Sequence, residues 1–307
     1  LGALAIAGRE EAERWGSERA HVTFVAMGRY GGRECSYASD ADVIALHEPV
    51  GGASDAEAAA SATAIVNRVK KLFGSATSQL GIVVDLDLRP EGKNGPMSRT
   101  IASHEEYAQR WASTWERQAA VRARPIGSSD LDERARALFE SMAYREVSES
   151  EVRDIRLLKA RMENERLPRG SEPARHVKLG PGGLSDVEWT IQLIQMRHGR
   201  EVEGLRTPST TRAIAVARDA GLLAAPDAEI LLNAWDLATR IRAGNTLATG
   251  RMSGVKLDVL PRDSAELSAL AAILGYGSGG LTALEEDWLR AARQARNVME
   301  RAFWEQQ

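Results

Sequence analysis

Apolar positions along the chain follow two rhythms. In the first third they come in short runs bounded by glycine or charge. These are His21-Val22-Thr23-Phe24-Val25-Ala26-Met27 ahead of Gly28, Asp42-Val43-Ile44-Ala45-Leu46-His47, and Gly81-Ile82-Val83-Val84-Asp85-Leu86-Asp87-Leu88. Runs of this length, rich in β-formers, predict buried strands. A helix is predicted between the second and third. Ser54 and Glu57 have capping-box spacing, Ile65, Val66, Val69, Leu72 and Phe73 share one face, and Gly74 stops it. Asn94-Gly95-Pro96 signals a turn leading into a hairpin.

From about residue 105 helical spacing replaces the strand rhythm. Ser185 and Glu188 predict a capped helix with Val187, Ile191 and Ile194 on one side. Thr282 and Glu285 predict another, along which Leu281, Leu284, Trp288, Ala292, Ala295, Met299 and Phe303 recur every three or four residues. Its acids, Glu285, Glu286 and Asp287, precede its arginines, Arg290 to Arg301, which suits the helix dipole. The pattern predicts a small α/β head, residues 1–127, followed by an all-helical domain, residues 128–307.

A length of 307 residues leaves room for two domains, and 43% hydrophobic with 27% charged residues excludes a mostly disordered chain. Forty Lys+Arg against forty-three Asp+Glu give a net charge of -3, which argues against a nucleic-acid binder or a polycationic membrane-surface protein. The single cysteine, Cys35, excludes an intrachain disulfide and a cysteine-based zinc cluster, as expected of a cytoplasmic protein. No apolar run approaches the 18 residues or so of a membrane span. The apolar opening Leu1 to Ala7 has neither an initial Met nor a basic region before it, so it reads as a cut from a longer chain rather than a signal peptide.

The chemistry concentrates in Gly28-Arg29-Tyr30-Gly31-Gly32-Arg33-Glu34-Cys35-Ser36-Tyr37-Ala38-Ser39-Asp40-Ala41-Asp42, which joins two predicted strands. Side chains alternate on extended backbone, so Asp40 and Asp42 point the same way and repel unless a cation lies between them. Hard ions such as Mg²⁺ take carboxylate oxygens and leave sites for phosphate and water. Gly31-Gly32 allows close backbone approach and Ser39 offers a hydroxyl. A second acidic pair, Asp85 and Asp87, stands in the third apolar run. Carboxylates on a buried strand need compensation, either a metal shared with Asp40 and Asp42 or an ion pair with Arg89 or Lys93. Carboxylates from two adjacent strands suit two metals about 3.5–4 Å apart, the spacing for displacement at phosphorus.

Other residues weigh less. Glu116, Arg122 and Arg124 read equally as anchors of this site, nucleotide contacts, or structural ion pairs. Trp111 and Trp115, one helical turn apart, are expected in the core. Lys178 with Gly182-Gly183 reads as a helix entry, and Gly275 to Gly280 as a flexible connection lacking the Lys-Ser/Thr of a phosphate loop. The five histidines show no metal-ligand spacing, and Cys35 reads as a small packed residue.

Gly28 to Asp42 resembles the Gly-rich loop and Asp-x-Asp of the DNA polymerase β nucleotidyltransferase superfamily. The wider set of motifs is similar to the bacterial glutamine-synthetase adenylyltransferase/adenylyl-removing family, whose two halves each carry a nucleotidyltransferase domain and a helical bundle. Val84-Asp85 with Leu88-Arg89-Pro90 resembles its third-carboxylate strand. Thr114-Trp115-Glu116-Arg117-Gln118-Ala119 with Val121-Arg122-Ala123-Arg124 resembles its Trp-Glu helix. Lys178 to Gly183 with Asp186-Val187-Glu188 resembles the opening of its second domain. The resemblance implies a polymerase-β-like head and a helical bundle. It implies Asp40, Asp42 and Asp85 as ligands of two Mg²⁺ ions, with Asp85 also helping to deprotonate the attacking hydroxyl, and Gly31, Gly32 and Ser39 as a triphosphate cradle. The reaction implied is transfer of AMP from ATP to a tyrosine of glutamine synthetase, with the PII signal protein as partner and glutamine as effector.

The Trp115 to Gln118 wording and Ser185-Asp186 resemble the C-terminal, adenylylating half, whereas Lys178-Leu179-Gly180 resembles the N-terminal one. A last helix ending at Trp304 is expected of a natural C-terminus, and the C-terminal half is the favoured reading. The adenylyl-removing half, another nucleotidyltransferase, and a catalytically vestigial PII-binding module are the alternatives. The sequence departs from the family pattern at Asp87, where arginine is expected, so the choice between Asp85 and Asp87 as ligand stays open.

Overall fold

The apolar opening lies in helix α1 (Gly2–Trp15), closed by Gly16 in the left-handed conformation. The computed structural model describes residues 1–37, 39–74, 82–168, 170–277 and 279–305. They divide into two compact units, the first comprising residues 1–35 and 39–145.

The first unit is built on a five-stranded mixed sheet. Strand β1 (Ala20–Ala26) leads through the helical turn α2 (Gly28–Gly31) to β2 (Ala41–Pro49), its antiparallel neighbour. Helix α3 (Asp55–Gly74) follows with the expected box formed. The Ser54 amide donates to Glu57 at 2.9 Å, and the Glu57 amide donates to the Ser54 hydroxyl at 3.3 Å. Two short strands, β3 (Val84–Asp85) and β4 (Ser98–Thr100), then pair parallel with the far edge of β2. Helices α4 (Ile101–Arg110) and α5 (Thr114–Ala120) precede β5 (Arg124–Pro125), which pairs with the end of β1, and α6 (Asp130–Ala143) closes the unit.

Alternation divides the sheet into two faces. Phe24, Val43 and Ala45 pack with Ala7 of α1 and with Ile65, Val66 and Val69 of α3. Val25, Ile44 and Leu46 take the opposite side, together with Thr23, whose hydroxyl donates to Asp132 at the start of α6. The expected boundary at residue 127 therefore falls inside this unit, because α6 is fastened to the sheet and the unit runs on to Arg145.

Two expectations fail after α3. Residue 81 lies outside the described residues, and only Val84 and Asp85 of the third run are paired. Ile82 and Val83 are exposed, and the chain turns at Asp87, where the Arg89 guanidinium donates to the carbonyls of Leu86 (2.9 Å) and Gly95 (3.2 Å). The segment after Asn94-Gly95-Pro96 does not return as a hairpin. It runs parallel to β2, and Gly95 lies so near the Pro90 carbonyl that a Cβ there would come within 2.0 Å of it.

His104 on α4 is 2% exposed and stacks edge-on against Phe139 of α6, ring centroids 5.2 Å apart. Burial, aided by the nearby Arg99 charge, lowers its pKa to about 4. A folded-state value below that of the unfolded chain means that unfolding takes up a proton once the pH drops below about 6.5. Stability is complete above that pH and is lost on descent toward 4, by about 3 kcal/mol for this group. Urea titrations at pH 6.5 and 4 should show a smaller loss for His104→Phe than for the wild-type chain, and equal losses would exclude His104 as the cause.

The second unit, from Glu146 onward, contains α7 (Glu149–Glu165), α8 (Leu184–His198), α9 (Thr210–Asp219), α10 (Ala225–Thr249), α11 (Ser264–Ile273) and α12 (Gly280–Met299), with a π-helical turn over Glu300–Glu305. Leu284, Trp288, Ala292 and Ala295 of α12 pack with Val187, Ile191 and Ile194 of α8 and Trp235 and Ile241 of α10, as the periodicity predicts. Neither expected capping box forms at the predicted residue. Gly183 caps α8 and Gly279 caps α12, so Ser185 and Thr282 already lie within helices. A reaching acid does exist, two residues from the predicted one: Asp186 accepts the Gly182 amide at 2.7 Å. Gly182, with φ 73°, lies against α12 so closely that a Cβ would meet the Ala292 carbonyl at 1.8 Å. Lys178 to Gly183 is thus a packed helix entry. Among the described residues no helix is long and apolar enough to cross a membrane.

Candidate active site

Strand register brings the first two carboxylates together. β2 and β3 are parallel, and Asp42 stands opposite Asp85. Partners in register on neighbouring strands project from the same face, so these acids are side by side. Asp40, two residues before Asp42 and just ahead of β2, is exposed, and Ser39 beside it is half-buried. Asp85 accepts the Asp87 amide at 2.6 Å. Asp87 itself has left the strand. It faces Lys93 at 3.3 Å and Arg89 at 3.8 Å, the ion-pair alternative raised by the sequence. The buried strand supposed to carry both acids does not exist; Asp85 is half-buried and Asp87 exposed.

Among the described residues no group of three or more Asp, Glu, His or Cys side chains is close enough to hold a metal ion. The Asp85 carboxylate is turned toward the Asp87 amide. In donor chemistry the residues do fit a hard divalent cation. Asp42 and Asp85 offer only carboxylate oxygen, from adjacent strands in register.

The Gly-rich segment crosses directly beside Asp42. Gly28 has φ 50°, and a Cβ on it would lie 3.0 Å from an Asp42 oxygen. The Gly31 and Gly32 amides are used inside the turn, donating to the carbonyls of Met27 (2.7 Å) and Gly28 (3.2 Å). Gly31 is glycine for a packing reason: a Cβ would meet the Arg122 carbonyl oxygen at 1.8 Å. Arg122 Nε donates to Gly28 O at 3.0 Å, and its Nη2 meets Glu34 at 2.8 Å in a pair only 3% and 11% exposed. Arg124 donates to Gly31 O at 2.8 Å and Tyr30 O at 3.0 Å, with its guanidinium over the Tyr30 ring. Arg122 therefore forms the structural ion pair that was one of the three readings, and both arginines also hold carbonyls of the loop. The Arg122–Glu34 pair spans 88 positions, so Glu34 carried no local signal.

Glu116 is a helix-capping residue: it completes the box with Ser113 and accepts the Tyr107 hydroxyl at 2.8 Å. Trp111 and Trp115 are both exposed, against the expectation of core positions; they do not share one helix, since Trp111 caps the end of α4 while Trp115 lies in α5, which buries Arg117, Gln118 and Ala120. Cys35 is exposed rather than packed. His47 is occupied by the Ser98 hydroxyl at 2.8 Å.

Residues 3–139 match the family described as Glutamate-ammonia ligase adenylyltransferase, and residues 156–303 match GlnD PII-uridylyltransferase. A protein of Streptomyces coelicolor named "Bifunctional glutamine synthetase adenylyltransferase/adenylyl-removing enzyme" is 45% identical over 296 residues, 95% of this chain and 29% of its own length. Proteins of the same name from Bifidobacterium longum subsp. infantis (45% over 295 residues, 94% and 27%) and Mycobacterium marinum (39% over 291 residues, 94% and 29%) match likewise. The chain therefore spans less than a third of the length of these relatives. Matched in both units and along nearly its whole length, it belongs to the family of bifunctional glutamine synthetase adenylyltransferase/adenylyl-removing enzymes.

Proposed function

We propose that this chain is the adenylylating portion of such an enzyme, with a DNA polymerase β-like head that transfers AMP from ATP to a tyrosine hydroxyl of glutamine synthetase and releases pyrophosphate. The observation that carries the reading is the register of Asp42 with Asp85 beside the Gly28–Gly31 turn. Relatives named as glutamine synthetase adenylyltransferases supply the acceptor. Asp40, Asp42 and Asp85 would hold two Mg²⁺ ions, whose chemistry there is polarisation of the α-phosphate and neutralisation of charge on the departing pyrophosphate. Asp85 assists removal of the phenolic proton, which a pKa near 10 otherwise retains at neutral pH. Ser39 and the small Gly31 and Gly32 border the triphosphate. The second unit, similar to a PII-uridylyltransferase family, docks the synthetase and the PII protein, with glutamine as effector. The setting is cytoplasmic, with neither nucleic acid nor membrane as partner.

The test is to incubate the chain with glutamine synthetase, Mg²⁺ and α-labelled ATP, and in parallel with adenylylated synthetase and phosphate. Label on tyrosine supports the proposal. ADP release without forward labelling reassigns the chain to the adenylyl-removing half, and neither reaction leaves a PII-binding module. Asp85→Asn should reduce labelling on the order of a hundredfold. Asp87→Asn, which loses only an exposed pair with Lys93 and Arg89, should stay within a few-fold. Reversed effects in the same labelling assay would make Asp87 the ligand.

A further inference from the structure

Three carbonyls of one short turn accept hydrogen bonds from two arginines nearly a hundred residues away. Arg122 takes Gly28 O, and Arg124 takes both Tyr30 O and Gly31 O. Arg122 stands in the turn that follows α5 and Arg124 opens β5, and both side chains reach the same loop. β5 lies against Val25 and Ala26, the last residues of β1 before the loop, which sets both guanidiniums beside the turn. The Tyr30 and Gly31 carbonyls lie at the C-terminal end of the turn, where carbonyls carry partial negative charge, and the planar Arg124 guanidinium serves both at once. The backbone closes the same contact, since Gly31 abuts the Arg122 carbonyl with no room for a side chain. Glu34 completes the clamp from the far end of the loop by pairing with buried Arg122 at 2.8 Å. The clamped residue Gly28 is the one whose backbone borders the Asp42 carboxylate.

We infer that Arg122 and Arg124 are positioning residues: they hold the Gly28–Gly31 turn at a fixed distance from Asp42 and thereby set the geometry in which the α-phosphate meets the acceptor. The inference rests on the AMP-transfer reading. It requires no contact between either arginine and the nucleotide. A clamp of this kind acts on the rate of the chemical step, because small displacements of reacting groups are costly.

The experiment uses the full chain and two readouts. Hydrogen exchange is followed in residues 28–35, whose amides at Gly31, Gly32, Arg33 and Glu34 are bonded within the loop, with α3 as internal control. The kcat and KM for ATP are measured in transfer to glutamine synthetase. Arg124→Gln should speed exchange in residues 28–35 about tenfold and leave α3 unchanged. It should lower kcat about tenfold with little change in KM for ATP. Arg124→Lys, which keeps the charge but lacks the planar fork, should resemble Arg124→Gln. Arg122→Gln removes the ion-pair partner at 2.8 Å from the Glu34 carboxylate, so Arg122→Gln with Glu34→Gln is the variant that keeps this arm readable if the single change does not fold. Wild-type exchange and kinetics in these variants would overturn the inference. Faster exchange throughout the first unit, with kcat per active molecule unchanged, would reduce the clamp to a structural feature and overturn it equally. A wild-type chain without transfer, its loop exchange still sensitive to Arg124→Gln, would overturn the AMP-transfer reading and the positioning role together, leaving only the clamp.

Discussion

Asp42→Asn is expected to lower AMP transfer by about a hundredfold or more while leaving the fold in place, an electrostatic contribution to the transition state of ordinary size. Asp42 lies on β2, opposite Asp85 and next to the backbone of Gly28. An amide keeps the shape and removes the charge on which cation binding depends. Asparagine has nearly the same shape as aspartate, so the fold should persist, and the circular dichroism spectrum of the variant should match that of the wild-type chain as activity disappears. Asp40→Asn should follow the same course under the proposal, in which Asp40 is a ligand of the same ions. The double variant makes the decisive assay. Near-normal turnover in purified Asp40→Asn/Asp42→Asn protein would remove the carboxylate site from the proposal.

Local signals in the sequence carried the elements that are decided locally. β1, β2 and the box that opens α3 need only neighbouring residues, and they occur where the apolar runs and the Ser54–Glu57 spacing predict. Elements that depend on a distant partner were not legible in the same way. The apolar run after α3 reads as one long strand, yet β2 offers β3 a partner for only two residues before the chain turns toward β4. Ile82 and Val83 are apolar and still exposed, because hydrophobicity alone does not tell a strand how long its neighbour is. Gly183 and Gly279 start α8 and α12 ahead of the predicted caps, since a glycine can bring the chain into the helix before a serine or threonine does. At the site, the acids and glycines stand out in sequence, but the reason for Gly31 does not. It is the carbonyl of Arg122, supplied by a segment the glycine motif cannot announce.

Asp186→Ala is expected to cost the second unit about 3–5 kcal/mol, the range for breaking a buried ion pair from one side. Asp186 and Lys159 are each 1% exposed, with Nζ and Oδ1 2.6 Å apart. The other carboxylate oxygen accepts the Gly182 amide at 2.7 Å and Arg296 at 3.2 Å, so a single side chain ties α7, the entry to α8, and α12. Alanine would leave a buried ammonium with half its compensation. Glu163 still lies 3.1 Å from that ammonium and also meets Arg296 at 2.7 Å, which puts the expected loss near the lower end of the range. Asp186→Leu combined with Lys159→Met removes both charges and should be the milder change, because no uncompensated ion remains. The two units need not unfold together, so the comparison is best read in hydrogen exchange of α8 and α12 rather than from a whole-chain melting curve. A loss below about 1 kcal/mol in Asp186→Ala would mean that Lys159 reaches water or Glu163 without penalty. The ion cluster would then be incidental to the stability of the helical unit.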